Sequence, residues 1–165
     1  MSKILMSACL LGQKVRYDGG DCLQNHARLQ MWIKAGDIIT ICPEIAGGLS
    51  TPRPPAEIQD KKTGIMVLNG DASIMTHSGD DVTAQFIEGA NKALALAQKF
   101  HIRVAILKAK SPSCGSSFVY DGTFSRELIP GMGVTSALLS QHGLMVFDEN
   151  HIDEALNAAE SLRVI

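Results

Sequence analysis

Short apolar runs alternate along the chain with longer segments whose apolar residues recur at helical spacing. The runs predict buried strands at about residues 3–8, 37–42, 103–108 and 144–147. The longer segments predict helices at about residues 25–35, 80–100, 134–142 and 152–162. Strands joined through helices normally pair in parallel. The pattern therefore predicts a three-layer α/β sandwich of the doubly wound, Rossmann-like kind, with a mostly parallel sheet.

Three stretches interrupt this alternation. Residues 47–55 hold so many glycines and prolines that we expect a long irregular loop, which in a compact domain usually serves function. Residues 64–78 are compatible with a short hairpin or an irregular ribbon. Residues 117–124 predict a small hairpin insertion that turns at Asp121-Gly122. Because no repeat or change of composition divides the chain, we expect residues 1–165 to form a single domain.

The composition is that of a folded protein with a sizeable core, since 45% of the 165 residues are hydrophobic. The net charge is -2 and there is no basic run, which argues against a strong nucleic-acid footprint but allows a small nucleobase as substrate. No apolar stretch reaches the roughly 18 residues of a membrane helix. Too few residues precede Cys9 for a signal peptide. We therefore predict a cytoplasmic protein without a membrane partner.

Three of the four cysteines, Cys9, Cys42 and Cys114, come shortly after predicted strands. Because ligands gather at the carboxyl ends of parallel strands, we expect these thiols to converge. A disulfide framework is not expected in the cytoplasm. Three distant thiolates without Cys-x-x-Cys spacing suit a cubane iron–sulfur cluster with one iron that lacks a protein ligand. A redox or nucleophilic cysteine, a zinc site and buried structural thiols remain open alternatives on spacing alone.

Three long motifs carry a resemblance to a known family. They read SACLLG at residues 7–12 with VRYDG at 15–19, CPE at 42–44 continuing through GGL at 47–49 to PRPPAE at 52–57, and LK at 107–108 with SPSCG at 111–115. Together they resemble a small bacterial family formerly catalogued as a domain of unknown function, which includes the thiouracil desulfurases. The resemblance implies an enzyme with a 4Fe–4S cluster on Cys9, Cys42 and Cys114, whose fourth iron takes the substrate's sulfur. Cys22 lies outside the motifs, and we predict a partly buried bystander rather than an exchangeable fourth ligand.

The same resemblance implies desulfuration of a small thiolated nucleobase or nucleoside, such as 2-thiouracil. Binding of the soft sulfur to iron would polarise the thiocarbonyl carbon, and a base must then deliver water to that carbon. We predict that Glu44, two residues after Cys42, is this base. The alternative role for Glu44 is to accept backbone N–H groups of its own loop.

Further polar residues near the motifs are predicted to complete the site. Ser111 would bind the substrate or relay a proton, and Lys108 would neutralise a charged intermediate. Four residues are predicted to contact the substrate: Arg16, Asp18, Arg53 and Ser113. Each prediction has an ordinary structural alternative. Serines beside proline and aspartates beside glycine often only shape turns, Lys108 could extend into solvent, and Arg53 could pair with Glu57 or another acid.

Two other functions are compatible with the residues. A non-catalytic iron–sulfur or redox-sensing module would have a cluster with four ligands or a reversible disulfide, and no turnover of a thioamide. A metal-free enzyme would use a cysteine of lowered pKa as its nucleophile, and Cys114 is the candidate. Iodoacetamide should then alkylate Cys114 in metal-free protein.

Overall fold

The computed structural model describes residues 2–163. Its strands are β1 (Ile4–Ser7), β2 (Ile38–Ile41), β3 (Ala56–Ile58), β4 (Ile74–Thr76), β5 (Val104–Ile106), β6 (Phe118–Tyr120), β7 (Leu128–Pro130) and β8 (Met145–Phe147). Its α-helices are α1 (Ala27–Lys34), α2 (Pro43–Ala46), α3 (Gly64–Leu68), α4 (Thr83–Lys99), α5 (Val134–Gln141) and α6 (Ile152–Arg163). Short 3₁₀ helices lie at Ala8–Leu11 and Glu149–His151. In these residues no helix has the length and apolar character needed to cross a membrane.

The central sheet is parallel and has the strand order β2-β1-β5-β8. Because successive strand residues point to opposite faces, β1 supplies both core layers. Ile4 and Met6 pack with residues of α1 and α6, whereas Leu5 packs with residues of α4 and α5. Helices therefore cover both faces, and the predicted three-layer α/β sandwich is confirmed.

The strand order reverses next to β1. The chain leaves β1 through α1 and returns on one side as β2, then crosses through α4 to β5 on the other side of β1. In a sheet of this kind the reversal opens a crevice outside the carboxyl ends of the strands, where ligands bind. The segments that follow β1, β2 and β5 consequently meet at one edge of the sheet.

The predicted strands of the central sheet and the four predicted helices are all present, with ends that differ by a few residues. The prediction for residues 64–78 was wrong, because this stretch holds α3 and then β4, which pairs antiparallel with β3. A tertiary contact fixes the start of α3, since Gly64 N donates to Met132 O at 2.7 Å. The hairpin of β6 and β7 exists, but its turn spans residues 121–127 instead of two residues.

Two glycines allow α2 and α4 to pack closely. A Cβ at Gly89 would overlap the carbonyl oxygen of Pro43, and a Cβ at Gly47 would overlap the carbonyl oxygen of Gln85. Because α2 begins directly after Cys42 and contains Glu44, this close packing fixes the position of the CPE motif.

Replacing Gly89 by alanine should therefore lower the free energy of unfolding by about 1–3 kcal/mol, since overpacking forces backbone or side-chain shifts. Urea unfolding of the purified protein measures this change. Asn91→Ala, at an exposed position of the same helix, is the control and should change stability little. Equal stability of Gly89→Ala and the control would contradict the close packing of α2 against α4.

Candidate active site

A cavity of about 430 Å³ lies at the carboxyl ends of β1, β2 and β5. Three free thiols line it: Cys9 in the 3₁₀ helix after β1, Cys42 at the end of β2, and Cys114 in the loop after β5. Cys9 and Cys114 are buried and Cys42 is half-buried. The strand reversal thus brings together three cysteines that are far apart in sequence.

Burial makes these thiols hard to ionise. It raises the pKa of Cys9 and of Cys114 to about 12, and it also raises the pKa of Cys42. Negative charge on neighbouring thiols adds to the effect at Cys9 and Cys114. A metal-free nucleophilic cysteine needs the opposite shift. Three thiolates in this cavity require a compensating cation, and a bound metal provides one by deprotonating its thiol ligands.

The donor set fits an iron–sulfur cluster. Three thiols without a histidine ligand are the soft donors that such clusters use, while magnesium and calcium prefer oxygen. The sulfur donors of Cys9, Cys42 and Cys114 are therefore suited to such a cluster.

Hydroxyl groups surround the sulfur of Cys114. Ser7 Oγ donates to Cys114 Sγ at 3.6 Å and accepts from the backbone N–H of Lys108 at 2.9 Å. The Cys114 thiol donates to Ser113 Oγ at 3.8 Å, and Ser113 Oγ also bonds Thr135 Oγ1 at 2.8 Å. Groups of this kind orient a ligand and tune a metal bound to it. Ser7 was not among the predicted residues, although it opens the first motif.

Glu44 lies on the cavity wall in the first turn of α2, paired with Arg53. Arg53 Nε donates to Glu44 Oε1 at 3.2 Å, while its terminal nitrogens donate to the carbonyls of Val15 and Ser50, both at 3.0 Å. Burial raises the pKa of Glu44, and the guanidinium partly opposes that rise. Arg53 lines the cavity, but four hydrogen bonds within the protein occupy most of its five N–H donors, and its acidic partner is Glu44.

Lys108, Ser111 and Arg16 also line the cavity. Lys108 Nζ pairs with Glu149 Oε2 at 2.7 Å, so its charge is held near the wall by a residue that follows β8. Ser111 Oγ accepts the backbone N–H of Cys114 at 2.7 Å, and its own O–H has no acceptor among residues 2–163. The guanidinium of Arg16 lies 5.9 Å from the ring centre of Tyr17, which also lines the cavity.

Two of the residues predicted to contact the substrate, Asp18 and Ser113, do not line the cavity. Asp18 is exposed, and its Oδ1 accepts the backbone N–H of Gly20 at 2.9 Å, so it shapes a turn. Ser113 is fully buried behind Cys114. Cys22 does not line the cavity either. Its N–H donates to the carbonyl of Cys9 at 2.8 Å and its side chain packs against the core.

Another part of the wall comes from the two antiparallel strand pairs, and it was not predicted. It contributes Glu57, His77, Tyr120, Phe124 and Arg126. The rings of His77 and Phe124 meet edge to face, with centres 5.1 Å apart. No local pattern marks these residues, because short strands and a long turn bring them to the cavity only through tertiary contacts.

Comparisons with known proteins identify the family to which the chain belongs. A family model described as 2-thiouracil desulfurase matches residues 4–151. A protein of Bacillus subtilis (strain 168), the uncharacterized protein YbbK, is 47% identical over 153 residues, which cover 93% of this chain and 99% of YbbK. A solved structure of TudS, a [4Fe-4S]-dependent thiouracil desulfidase, is 44% identical with a TM-score of 0.88 and covers 100% of both chains. The resemblance carried by the three motifs is confirmed, and the chain belongs to the 2-thiouracil desulfurase family of enzymes.

Proposed function

We propose that this protein is an iron–sulfur enzyme that removes sulfur from a small thiolated pyrimidine such as 2-thiouracil. The observation that carries the proposal is the convergence of three free thiols on one cavity beside Glu44, with Cys9 and Cys114 buried and Cys42 half-buried. The family match and the likeness to TudS support both the substrate class and the cluster. The net reaction takes up one water, converts the thiocarbonyl into a carbonyl and releases hydrogen sulfide, with no net transfer of electrons.

Cys9, Cys42 and Cys114 would hold a 4Fe–4S cluster, so that one iron has no protein ligand. When bound, the cluster supplies a Lewis acid with affinity for the soft sulfur of the thiocarbonyl. A cavity of about 430 Å³ is in the usual range for small-molecule sites and leaves room for a pyrimidine beside the thiols.

Glu44 is proposed to take a proton from the water that attacks the thiocarbonyl carbon. Arg53 fixes the direction of this carboxylate through its Nε–H and holds the adjacent loop through the Val15 and Ser50 carbonyls. The raised pKa of Glu44 makes it a stronger base than an exposed glutamate. Arg53 is thus proposed as a positioning residue rather than the substrate ligand expected from the sequence.

Ser111 and Lys108 are proposed to handle charge and protons on the substrate. The free O–H of Ser111 can donate to the negative charge that develops on the ring as water adds. Lys108 contributes positive charge at the same wall, and Glu149 keeps it in place.

The proposed function is tested by anaerobic incubation of the cluster-loaded protein with 2-thiouracil. Uracil, quantified by chromatography, and sulfide, quantified colorimetrically, should form in equal amounts over many turnovers. The same preparation after removal of its iron should form neither product. Absence of uracil with fully loaded protein would refute the proposal.

Ser111→Ala should lower kcat/KM for 2-thiouracil by about 10- to 100-fold, the effect of losing one hydrogen bond to developing charge. Ser111→Thr retains a hydroxyl and should keep most of the activity. Exposed Ser117→Ala serves as the control. Steady-state kinetics at equal iron content compares the variants. Wild-type kinetics for Ser111→Ala would remove Ser111 from the reaction.

A further inference from the structure

Glu57 is a buried carboxylate on the cavity wall that the proposed reaction does not use. Its exposed fraction is 8%. Neighbouring residues of a strand point in opposite directions, and Ile58 enters the core between α3, α4 and α5. Glu57 therefore faces the other way, toward the cavity that it lines. Within residues 2–163 its carboxylate forms no salt bridge.

One oxygen of this carboxylate is fixed by the turn between β6 and β7. Glu57 Oε1 accepts the backbone N–H of Gly122 at 3.0 Å and that of Phe124 at 3.2 Å. The φ angle is 96° at Gly122 and 57° at Phe124. A positive φ is uncommon for a residue other than glycine, so the turn needs support from outside at Phe124. The two bonds anchor the turn and also set the orientation of the carboxylate.

The other oxygen of Glu57 remains open. Oε2 has no hydrogen-bond partner among the described residues. Every fully buried side-chain nitrogen or oxygen in those residues does have a partner, so Oε2 is not fully buried. Because Glu57 is mostly buried and lines the cavity, the space that Oε2 meets is the cavity itself.

A fixed acceptor at this place matches the chemistry of the proposed substrate. In 2-thiouracil the thiocarbonyl carbon lies between two N–H groups, and each can donate to a carboxylate. The turn that Glu57 anchors also brings the ring of Phe124 to the cavity wall, where His77 supports it. One part of the wall thus offers a planar substrate both the aromatic ring of Phe124 and, for an N–H on the edge of the substrate ring, the acceptor Oε2 of Glu57.

We propose that Glu57 Oε2 accepts a ring N–H of the substrate and restricts the enzyme to heterocycles with an N–H next to the thiocarbonyl. This inference rests on the proposed function and adds a specificity-determining residue to it. If Glu57 served only to anchor the turn, Oε1 alone would suffice. The effect of methylating a ring nitrogen on binding affinity would then be the same with and without the Glu57 carboxylate.

The test measures binding of the product uracil and of its 1-methyl and 3-methyl derivatives to the cluster-loaded protein by calorimetry. Wild-type protein should bind at least one methylated derivative about 10- to 100-fold more weakly than uracil, because a charged acceptor loses its donor. In Glu57→Gln the amide oxygen can keep the turn bonds while the NH₂ group faces the ring. This variant should bind uracil about 10- to 100-fold more weakly and no longer distinguish it from that derivative.

Exposed Glu127→Gln, in the same turn, is the matched control and should bind all three compounds like the wild type. Equal affinity of the wild type for uracil and both derivatives would overturn the proposal without any variant. Unchanged discrimination in Glu57→Gln would overturn it as well. Failure of the proposed function has a different signature, since wild-type protein would then not convert 2-thiouracil at all.

Discussion

Replacement of Cys9, Cys42 or Cys114 by alanine should remove the iron–sulfur cluster and the desulfurase activity together. Each thiol approaches the cavity from a different strand end, so the two that remain cannot take over the missing position. Iron and acid-labile sulfide, measured after anaerobic reconstitution, should fall from about four of each per chain to near zero. Turnover of 2-thiouracil should fall to the background of protein without metal.

Cys22→Ala is the matched control for these three variants. Cys22 packs against the core outside the cavity wall, so its replacement should leave iron, sulfide and turnover close to those of the wild type. Loss of the cluster in Cys22→Ala, together with its retention in one of the other three, would show that the ligand set is assigned incorrectly.

Glu44→Gln should keep the cluster and lose turnover by about 100-fold or more, the usual contribution of a positioned general base. Glutamine has the size of glutamate and can still accept the Arg53 Nε–H, so the wall should keep its shape. It cannot, however, take a proton from water. The measurement pairs the visible absorption of the cluster with kcat for 2-thiouracil.

Glu88→Gln, on the exposed side of α4, controls for the loss of one carboxylate elsewhere. Wild-type turnover in Glu44→Gln would remove Glu44 from the mechanism. Loss of the cluster in this variant would instead point to a role of Glu44 in holding Cys42 and its loop.

The central sheet was predictable because its strands are short, mainly apolar runs, and because β1 and β5 in its middle are buried on both faces. Parallel pairing then followed from the intervening helices, and with it the expectation that three cysteines meet at one edge. The elements α3, β3 and β4 were not predictable. They are three to five residues long, too short to show a period, and contacts such as that of Gly64 with Met132 define them.

Residues of the cavity wall could be predicted where they lie within a continuous motif, as for Cys42 and Glu44. It could not be predicted where hydrogen bonding decides which way a side chain points. Arg53 turns its donors to Glu44 and two carbonyls, and Asp18 closes a turn. Glu57, by contrast, lines the cavity without having been predicted to do so. The long turn that orients its carboxylate is recognisable only in the folded chain.

The cavity combines low polarity with fixed charges. Its thiols resist ionisation until a metal is bound, Glu44 and Arg53 form a buried pair, and Lys108 is held by Glu149. Such preorganised groups act on developing charge more strongly than they would in water. In the proposed reaction, the water that attacks the thiocarbonyl carbon would therefore meet a carboxylate whose direction Arg53 has already set.

The most direct test of the proposed chemistry is the iron and acid-labile sulfide content of wild-type protein purified or reconstituted without oxygen. Three thiol ligands on a cubane cluster predict about four irons and four sulfides per chain, with the broad visible absorption of an iron–sulfur protein. Protein that takes up no iron under reducing, anaerobic conditions would contradict the assignment of Cys9, Cys42 and Cys114 and the desulfuration that depends on them.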